Sequence, residues 1–502
     1  MSRLGGPPQH CSNTRRTPSV ILEELHELAT QQQMQMPKGD DDEEGQSDKP
    51  VLPRLQLTAK QHKKPVPKLR EVVNSRKTPL TRITKTVQRA LKLIVVSCNK
   101  LWRDQWIGYA GRVPGRSWMC EGSKQLTECL RQMRGIFLQA DSPLAEVNGF
   151  ATHDFTGLYS NIPHGELKLR LRALVVACFR YEKQGAETRA RSAMQGPDGI
   201  FVPNDPRHQP EWTQASLRKP EGLTLTAAKL CELIDLVVDN IYVEFGGEVF
   251  LQTLGFPMGT NCGVELAILF LFTFEFAFLI RQLRQFDCGC RNRAARGITA
   301  PRANGEHELP DVLVFMLFTN RYIDDILHPK FYGTIIEHRF YDRRHEPGGE
   351  DGIYPAQLPG PNGIINMPLA LTLEGSGEEV PCLDVSVLFD ARTRRLDLKL
   401  YDKRRSIPEL GTKRNFPPVE SMLSDNAKYT VLRSQMHRFD RNTTMATDFI
   451  SNTIELGREM FNAGYRLEWL QQEVRRYRSW DTAKGVWSRI KERVLGVFRG
   501  FE

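Results

Sequence analysis

The stretch Phe318-Thr-Asn-Arg-Tyr-Ile-Asp-Asp-Ile-Leu327 decides the fold that this sequence predicts. Two adjacent carboxylates, Asp324 and Asp325, stand between the apolar runs Val312–Phe318 and Ile326–Leu327. This pattern predicts two strands joined by a tight turn, with both acids at the tip of the hairpin. Neighbouring carboxylates repel each other, so such a pair needs solvent or a divalent cation to offset its charge. Alone, an Asp-Asp pair more often marks an acidic turn than a metal site.

Two earlier segments change that balance. They are His153-Asp-Phe-Thr-Gly-Leu-Tyr-Ser-Asn-Ile-Pro-His164 and Gly255-Phe-Pro-Met-Gly-Thr-Asn-Cys262. Taken in order with Arg321-Tyr-Ile-Asp-Asp325, they resemble motifs A, B and C of reverse transcriptases. The sequence is most similar to the reverse transcriptases of Penelope-like and related retroelements, which are distant relatives of telomerase. Any one of these motifs is a weak signal, whereas the ordered set is a strong one.

The resemblance extends over residues 51–480. Segments similar to the finger motif, the end of the palm and the thumb are, in that order, Lys60-Gln-His-Lys-Lys-Pro65 with Arg70, Cys382-Leu-Asp384 with Leu400-Tyr-Asp-Lys-Arg404, and Gln435-Met-His-Arg-Phe439 with Gly464-Tyr465. The resemblance therefore implies an α+β right-hand polymerase fold of fingers, palm and thumb, with an antiparallel palm sheet and a helical thumb.

The domain boundaries that we predict follow these motifs and the composition of the chain. They are a disordered N-terminal tail over 1–50, fingers over 51–145, a palm over 146–400 with inserted loops near 182–221, 285–310 and 341–364, and a mostly helical thumb over 401–502. The tail is predicted because its acidic and glutamine-rich runs cannot bury a core. We therefore expect residues 1–50 to be dispensable for catalysis.

The resemblance assigns the catalytic role to Asp154, Asp324 and Asp325. Asp154 and Asp324, with the carbonyl of Phe155, are the expected ligands of two Mg²⁺ ions, which Mn²⁺ could replace. Two such ions stabilise the attacking and the leaving oxygen of a phosphoryl transfer. Asp325 either binds a metal or positions the metals and the primer electrostatically.

The resemblance also implies two sets of binding residues. Those expected to contact the incoming nucleotide are Lys60, Lys63, Arg70, Tyr159, Gly255, Pro257, Met258 and Gly259. Those expected to contact nucleic acid are Lys403, Arg404, Arg438, Arg475 and Arg476. The planar fork of arginine suits phosphate, and the ring of Tyr159 is expected under the sugar, where it would exclude a ribose 2′-hydroxyl. The basic residues could instead belong to a solvated surface without a ligand. Tyr159 could instead be an aromatic residue of the core at its turn.

The charge distribution favours a polyanionic partner. The net charge is +9 with an isoelectric point near 9.0. Residues 1–50 carry 5 basic and 9 acidic residues, residues 51–90 carry 11 and 1, and residues 401–502 carry 19 and 13. Basic segments on both sides of a central acidic site suit a nucleic-acid cleft, although a solvated basic surface gives the same pattern.

Cysteine usage and hydropathy indicate an intracellular protein. The ten cysteines form no zinc-binding framework, which is typical of reduced thiols inside a cell. The apolar run Val264–Ile280 contains Glu265 and Glu275, so we interpret it as a buried helix rather than a membrane span. We expect no membrane partner, and the function implied above favours a nuclear location.

The predicted function is that of an RNA-directed DNA polymerase, which extends a primer 3′-hydroxyl with dNTPs on an RNA template. Two other classes remain open: an RNA-dependent RNA polymerase that shares the palm, and a non-catalytic, nucleic-acid-binding relic of a retroelement. Paired Gly-Ile-Tyr and Tyr-Ile-Gly nuclease motifs do not follow the thumb segment. We therefore expect any nuclease to be a separate protein.

Overall fold

The computed structural model describes residues 11–32, 51–60, 68–75, 77–107, 118–139, 142, 144–189, 196–217, 219, 221–295, 315–316, 318–331, 340–342, 352–402, 416–478 and 484–501. Its helices are α1 Pro18–Gln31, α2 Thr81–Ile107, α3 Ser123–Phe137, α4 Leu158–Asn161, α5 His164–Arg189, α6 Ala227–Asp239, α7 Gly263–Ala295, α8 Asp425–Asn442, α9 Ala446–Asn462, α10 Leu467–Arg476 and α11 Lys484–Phe498. Its strands are β1 Cys11–Asn13, β2 Arg54–Lys60, β3 Lys68–Asn74, β4 Val147–Phe155, β5 Gly199–Pro203, β6 Glu211–Thr213, β7 Gly222–Thr226, β8 Tyr242–Phe245, β9 Glu248–Gln252, β10 Asn320–Tyr322, β11 Asp325–Phe331, β12 Tyr341–Asp342, β13 Tyr354–Pro355, β14 Gln357–Gly360, β15 Gly363–Asn366, β16 Leu371–Gly377, β17 Glu379–Cys382, β18 Val385–Asp390 and β19 Arg395–Leu400. The protein is of mixed α+β class.

A four-stranded antiparallel sheet in the order β10-β11-β4-β16 lies at the centre of the fold. The predicted hairpin is present as β10 and β11, but its first strand begins only at Asn320. The prediction of a strand over Val312–Phe318 is wrong for the residues described there. Phe315, Met316 and Phe318 are helical, and the Thr319 amide donates to the Phe315 carbonyl at 2.9 Å. An apolar run alone does not distinguish a strand from a buried helical turn.

Helices cover one face of this sheet. Helix α7 packs with α2 and α5, and its apolar residues fill the main core; Leu269, Phe270, Leu271 and Phe272 are fully buried. The part Gly263–Gln285 is long and apolar enough to cross a membrane, yet 72% of its most apolar window is buried within the protein. Burial of this kind is typical of a core helix in a globular fold, as the sequence predicted for Val264–Ile280.

Among the described residues, α3 and the three-stranded meander β17-β18-β19 pack on the other face of the sheet. Phe150 of β4 contacts Phe137 of α3 and Phe389 of β18, with ring centroids 6.2 and 5.8 Å apart. The segment 379–390 forms two strands, β17 and β18, because the chain turns at Leu383 with φ +53°. This cover packs on Phe150, four residues before Asp154 at the carboxyl end of β4.

The prediction of a disordered tail over 1–50 is wrong for residues 11–32. Helix α1 buries Ile21, Leu25 and Ala29 in the main core, because their spacing of four residues places them on one side of the helix. Strand β1 pairs with β9 and extends a five-stranded sheet in the order β1-β9-β8-β2-β3. That sheet contains the hairpin of β2 and β3, which includes residues of the segment similar to the finger motif, and we call it the finger hairpin. The remaining residues of the predicted tail lie outside the described part.

The three predicted insertions contain regular structure. Within 182–221, α5 continues to Arg189, and β5 and β6 form a sheet with β7. The Arg89 guanidinium of α2 donates to the carbonyl oxygens of Pro203, Asp205 and His208 and so joins α2 to this segment. Within 285–310, α7 continues to Ala295, and within 341–364 lie β12 to β15. Glycine, proline and charged residues in these segments disguise short strands that only their partners stabilise.

The described residues after 416 form a helical unit with its own core. Helices α8 to α11 bury a second cluster that includes Leu432, Met436, Leu470, Val474 and Phe498. The C-terminal helix α11 packs against α9, where Phe498 lies over Gly457. The described residues after 416 are therefore mostly helical.

Candidate active site

The structure places Asp154 and Asp325 directly opposite each other. They are partners in the antiparallel register of β4 and β11, and both are half-buried. Opposed residues in an antiparallel pair extend their side chains from the same face of a sheet. We call this the acidic face. Thr372 of β16 is the next partner of Asp154, so it continues the same row toward the sheet edge.

Asp324 lies in the turn between β10 and β11, next to this row. Its carbonyl oxygen accepts a hydrogen bond from the Phe155 amide at 3.3 Å, which ties the turn to the end of β4. The other turn residue, Ile323, is buried and has φ +54°. A β-branched residue rarely adopts that conformation. It costs about 1–3 kcal/mol and persists only where the surrounding structure imposes it. The three predicted catalytic aspartates thus lie close together in the fold: Asp154 near the end of β4, Asp324 in the strained turn and Asp325 at the start of β11.

A buried polar network lies behind the turn, on the opposite face of the sheet. Arg321 of β10 and Glu275 of α7 form a two-pronged ion pair, with Nε–Oε1 and Nη2–Oε2 distances of 2.5 and 2.8 Å. The Trp118 indole donates to Glu275 Oε2 at 2.6 Å, and the Tyr354 hydroxyl donates to Oε1 at 2.7 Å. The pKa of Tyr354 is raised well above its usual value, chiefly by burial and secondly by the charge of Glu275.

Sequence reasoning missed this network. In the sequence, Glu275 argues only against a membrane span, and Arg321 is only the first residue of the motif Arg321-Tyr-Ile-Asp-Asp325. A usable signal was present, because an acid inside the apolar run Val264–Ile280 must find a cation or donors when that run is buried. Its partner could not be chosen from the sequence. Tyr354, which completes the network, lies in a segment that was predicted to be a loop.

The glycine-rich loop contacts the segment after Asp154 through main-chain bonds. Gly255 has φ +69°, and a Cβ there would stand 2.2 Å from the carbonyl oxygen of Tyr159. The amides of Gly255 and Phe256 donate to the carbonyls of Ile162 and Tyr159, each at 2.7 Å. The Tyr159 ring is half-buried and packs edge-on against Phe256, 5.4 Å between centroids. The imidazole of His164 donates to the Gly255 carbonyl at 2.5 Å.

The same loop also contacts the finger hairpin. The Val73 amide of β3 donates to the Met258 carbonyl at 2.9 Å, and the Ser75 hydroxyl donates to the Gly259 carbonyl at 2.5 Å. Pro257 is buried, and Met258 is half-buried. The structure therefore brings together Tyr159, the loop 255–259 and β3.

Three other predicted nucleotide contacts concern the hairpin itself. The backbones of Lys60 and Arg70 lie on β2 and β3, opposite Lys68 and Thr58 respectively. Their side chains, and Lys63 altogether, lie outside the described residues.

The predicted nucleic-acid contacts fall into different surroundings. Arg438 is not an open contact, because its guanidinium pairs with Asp384 in the β17–β18 turn at 2.9 Å and so joins α8 to the meander. Arg476 pairs with Glu473 at 2.9 Å and is half-exposed. Arg475 is exposed and reaches Gln471 at 3.4 Å. Lys403 and Arg404 lie outside the described residues.

The donor chemistry of the acidic face fits a divalent cation. Opposed like charges destabilise a strand pair, and a cation bound between Asp154 and Asp325 would offset that repulsion. All candidate donors are oxygens, the ligands that Mg²⁺ prefers. As the side chains stand, the described part of the chain contains no group of three or more His, Cys, Asp or Glu arranged to hold a metal ion.

Comparisons with known proteins give a distant structural likeness. No protein-family model matches the sequence, and no curated protein is significantly similar to it. The telomerase of Candida albicans in complex with a TWJ fragment of telomeric RNA is 10% identical, with a TM-score of 0.40 over 96% of this chain and 73% of that chain. The apo telomerase of Candida tropicalis is 12% identical, with a TM-score of 0.40 over 96% and 68%. At these values the likeness assigns the chain neither a family nor an activity.

Proposed function

We propose that this protein is an RNA-directed DNA polymerase of the Penelope-like or a related retroelement type, with a right-hand fold. The observation that carries the proposal is the register that sets Asp154 opposite Asp325, with Asp324 in the adjoining turn. These acids come from segments far apart in the sequence, and the cover of the acidic face contacts Phe150, four residues before Asp154.

Asp154, Asp324 and Asp325, with the carbonyl of Phe155, would hold the metal. When bound, Mg²⁺ would lower the pKa of the primer 3′-hydroxyl and stabilise the charge on the transferred phosphoryl group. The chain itself contributes the placement of the carboxylates, because two strands and a strained turn fix their backbones. Asp325 thereby becomes as strong a candidate ligand as Asp324, since it lies opposite Asp154.

The contact between Tyr159 and the glycine-rich loop supports a choice for deoxynucleotides. Phe256 packs against the Tyr159 ring, and the main-chain bonds to the loop fix the backbone beside it. A sugar bound over this ring would stack if it were deoxyribose, whereas a 2′-hydroxyl would collide with the ring. The incoming dNTP would then lie between the acidic face and β3, where Lys60, Lys63 and Arg70 would hold its triphosphate.

The partners of this activity are an RNA template and a DNA primer. The basic segments 51–90 and 401–502 would contact their phosphates. Arg475 and Arg476 are among the exposed arginines of the helical unit, and Arg476 remains half-exposed although it pairs with Glu473. We place the protein in the nucleus. Arg438 is left out of the contact set, since it holds Asp384.

The test is primer extension on an RNA template with purified full-length protein. We expect extension with dNTPs and Mg²⁺, none with chelator, and little with NTPs. Tyr159→Val should raise NTP use relative to dNTP use while some extension remains, and Phe179→Val, which alters a ring that packs on Trp212, is the control.

Two results would contradict the proposal. Extension with NTPs by the wild-type protein indicates an RNA polymerase. Template binding without extension under any of these conditions indicates a non-catalytic binding protein.

A further inference from the structure

The ion pair between Arg321 and Glu275 is the most deeply buried one in the described part of the chain. Their side chains are 1% and 2% exposed. Neither residue lies on the acidic face: Arg321 is opposite Ile326 in the register, one position out of phase with Asp325. The pair therefore cannot touch a substrate bound over the aspartates. Some other role is needed to explain why two charges are held in the core.

The guanidinium of Arg321 reaches beyond Glu275 to the turn. Its Nη1 donates to the carbonyl of Ile323 at 3.2 Å, and its Nη2 also donates to the carbonyl of Ile268 in α7 at 3.3 Å. One rigid, planar group thus joins the long core helix to the residue with the left-handed backbone. Ile323 immediately precedes Asp324, so the same contact limits where Asp324 can lie.

The main chain of Arg321 is held as well. Its amide donates to the Trp118 carbonyl at 2.6 Å, and its carbonyl accepts from the Cys120 amide at 2.8 Å. Trp118 also donates to Glu275 from its side chain. Strand β10 is short, with three residues, and these contacts fix it on the side that β11 does not cover. The position of the turn is therefore determined from behind, by the helix layer, and not by the strand pair alone.

We propose that Arg321, oriented by Glu275, is a positioning residue that sets the turn 323–324 and with it the place of Asp324 relative to Asp154. The proposal rests on the polymerase function proposed above. Net stability is a poor explanation for the pair, because the desolvation of two buried charges offsets most of their attraction. Arginine is needed in place of lysine, because Arg321 donates four bonds to Glu275, Ile323 and Ile268, whereas lysine has three N–H donors on one nitrogen.

The experiment replaces both charges by apolar groups of similar size, Arg321→Met with Glu275→Leu. Two quantities are measured: hydrogen exchange of the peptides that contain the turn and Phe155, and the steady-state constants of primer extension. We expect a folded protein whose turn exchanges about tenfold faster and whose kcat falls about 100-fold, with the KM for dNTP nearly unchanged. The single variant Arg321→Lys should have a kcat nearly as low as that of the double variant.

Lys100→Met with Glu182→Leu is the matched control, because that pair joins α2 to α5 at 3.1 Å and does not contact the turn. It should leave turn exchange and kcat as they are in the wild type. If the Arg321 and Glu275 variant does not fold, Tyr354→Phe takes its place, since it removes one donor to Glu275 and keeps the ring. That variant should then show the same changes to a smaller degree.

Normal turn exchange in a folded variant would overturn the proposal, and so would faster exchange with an unchanged kcat. If the wild-type protein extends no primer, the polymerase function fails on its own. Hydrogen exchange then still decides whether Arg321 holds the turn, because that measurement requires no activity.

Discussion

The α-carbon of Gly259 lies so close to the carbonyl oxygen of Val73 that a Cβ atom would stand 2.1 Å from it. Gly259 also has φ +121°, a conformation that side chains rarely allow. The glycine-rich loop can therefore contact β3 only with glycine at this position. Since the loop also contacts Tyr159 through Gly255, it joins the finger hairpin to the segment that carries Asp154.

We expect Gly259→Ala to destabilise the protein by about 3 kcal/mol and to reduce primer extension strongly. The backbone strain and the steric overlap each contribute about 1–3 kcal/mol. Gly246→Ala is the control, because Gly246 has φ +64° but open space around it, so it should cost only about 1–2 kcal/mol. Urea unfolding measures both variants, and equal losses would show that the contact with Val73 is unimportant.

Asp154→Asn and Asp325→Asn should each lower primer extension by about 100-fold or more, the scale of losing one group that stabilises developing charge. Template binding should remain, because phosphate contacts supply most of the affinity. In chelator, each variant should be as stable as the wild type or more stable by up to about 1 kcal/mol, since one of two opposed charges is gone. Asp239→Asn, on an exposed part of α6, is the control. Loss of binding together with activity in a folded variant would contradict the proposed roles.

Deletion of residues 1–50 should destabilise the protein, contrary to the expectation from composition. The deletion removes β1 and the buried stripe of α1 from the core. As a milder test, Ile21→Ala should cost about 2–4 kcal/mol, because Ile21 is fully buried. Val20→Ala changes the adjacent, 44% exposed residue and should cost less than about 0.5 kcal/mol. Thermal melting that is unchanged by the deletion would show that α1 is an accessory element.

His328 should make the protein sensitive to acid. The pKa of His328 is lowered to about 3, chiefly by burial and secondly by the neighbouring His153. The unfolded chain takes up this proton below about pH 6.5 whereas the folded protein cannot, so stability falls as pH drops from about 6.5 toward 3. The loss approaches about 1.4 kcal/mol for each pH unit.

His328→Phe, among the rings of Phe315 and Phe340, should reduce this loss. Denaturant unfolding at pH 7.5 and pH 5.0 gives the difference for wild type and variant, with exposed His26→Phe as control. An unchanged difference in the His328 variant would mean that another group governs the acid sensitivity.

Patterns within short segments determined much of what could be predicted. The buried helix over Val264–Ile280 follows from local composition and periodicity, since those preferences act between near neighbours. The acids of the site could likewise be selected from the sequence, through the order of three motifs. The sequence also places Asp324 and Asp325 at the tip of a hairpin. The first strand of that hairpin begins at Asn320 and not within Val312–Phe318.

Only the tertiary structure decided how these segments meet. The pairing of Asp325 with Asp154, the contact of Gly259 with Val73 and the choice of Arg321 as the partner of Glu275 all join residues distant in the chain, and their energies come from burial and register that no local pattern encodes. The same holds for α1. A single helix of 14 residues is marginal on its own, and α1 is ordered because the core of the other elements gives Ile21, Leu25 and Ala29 a surface to pack against.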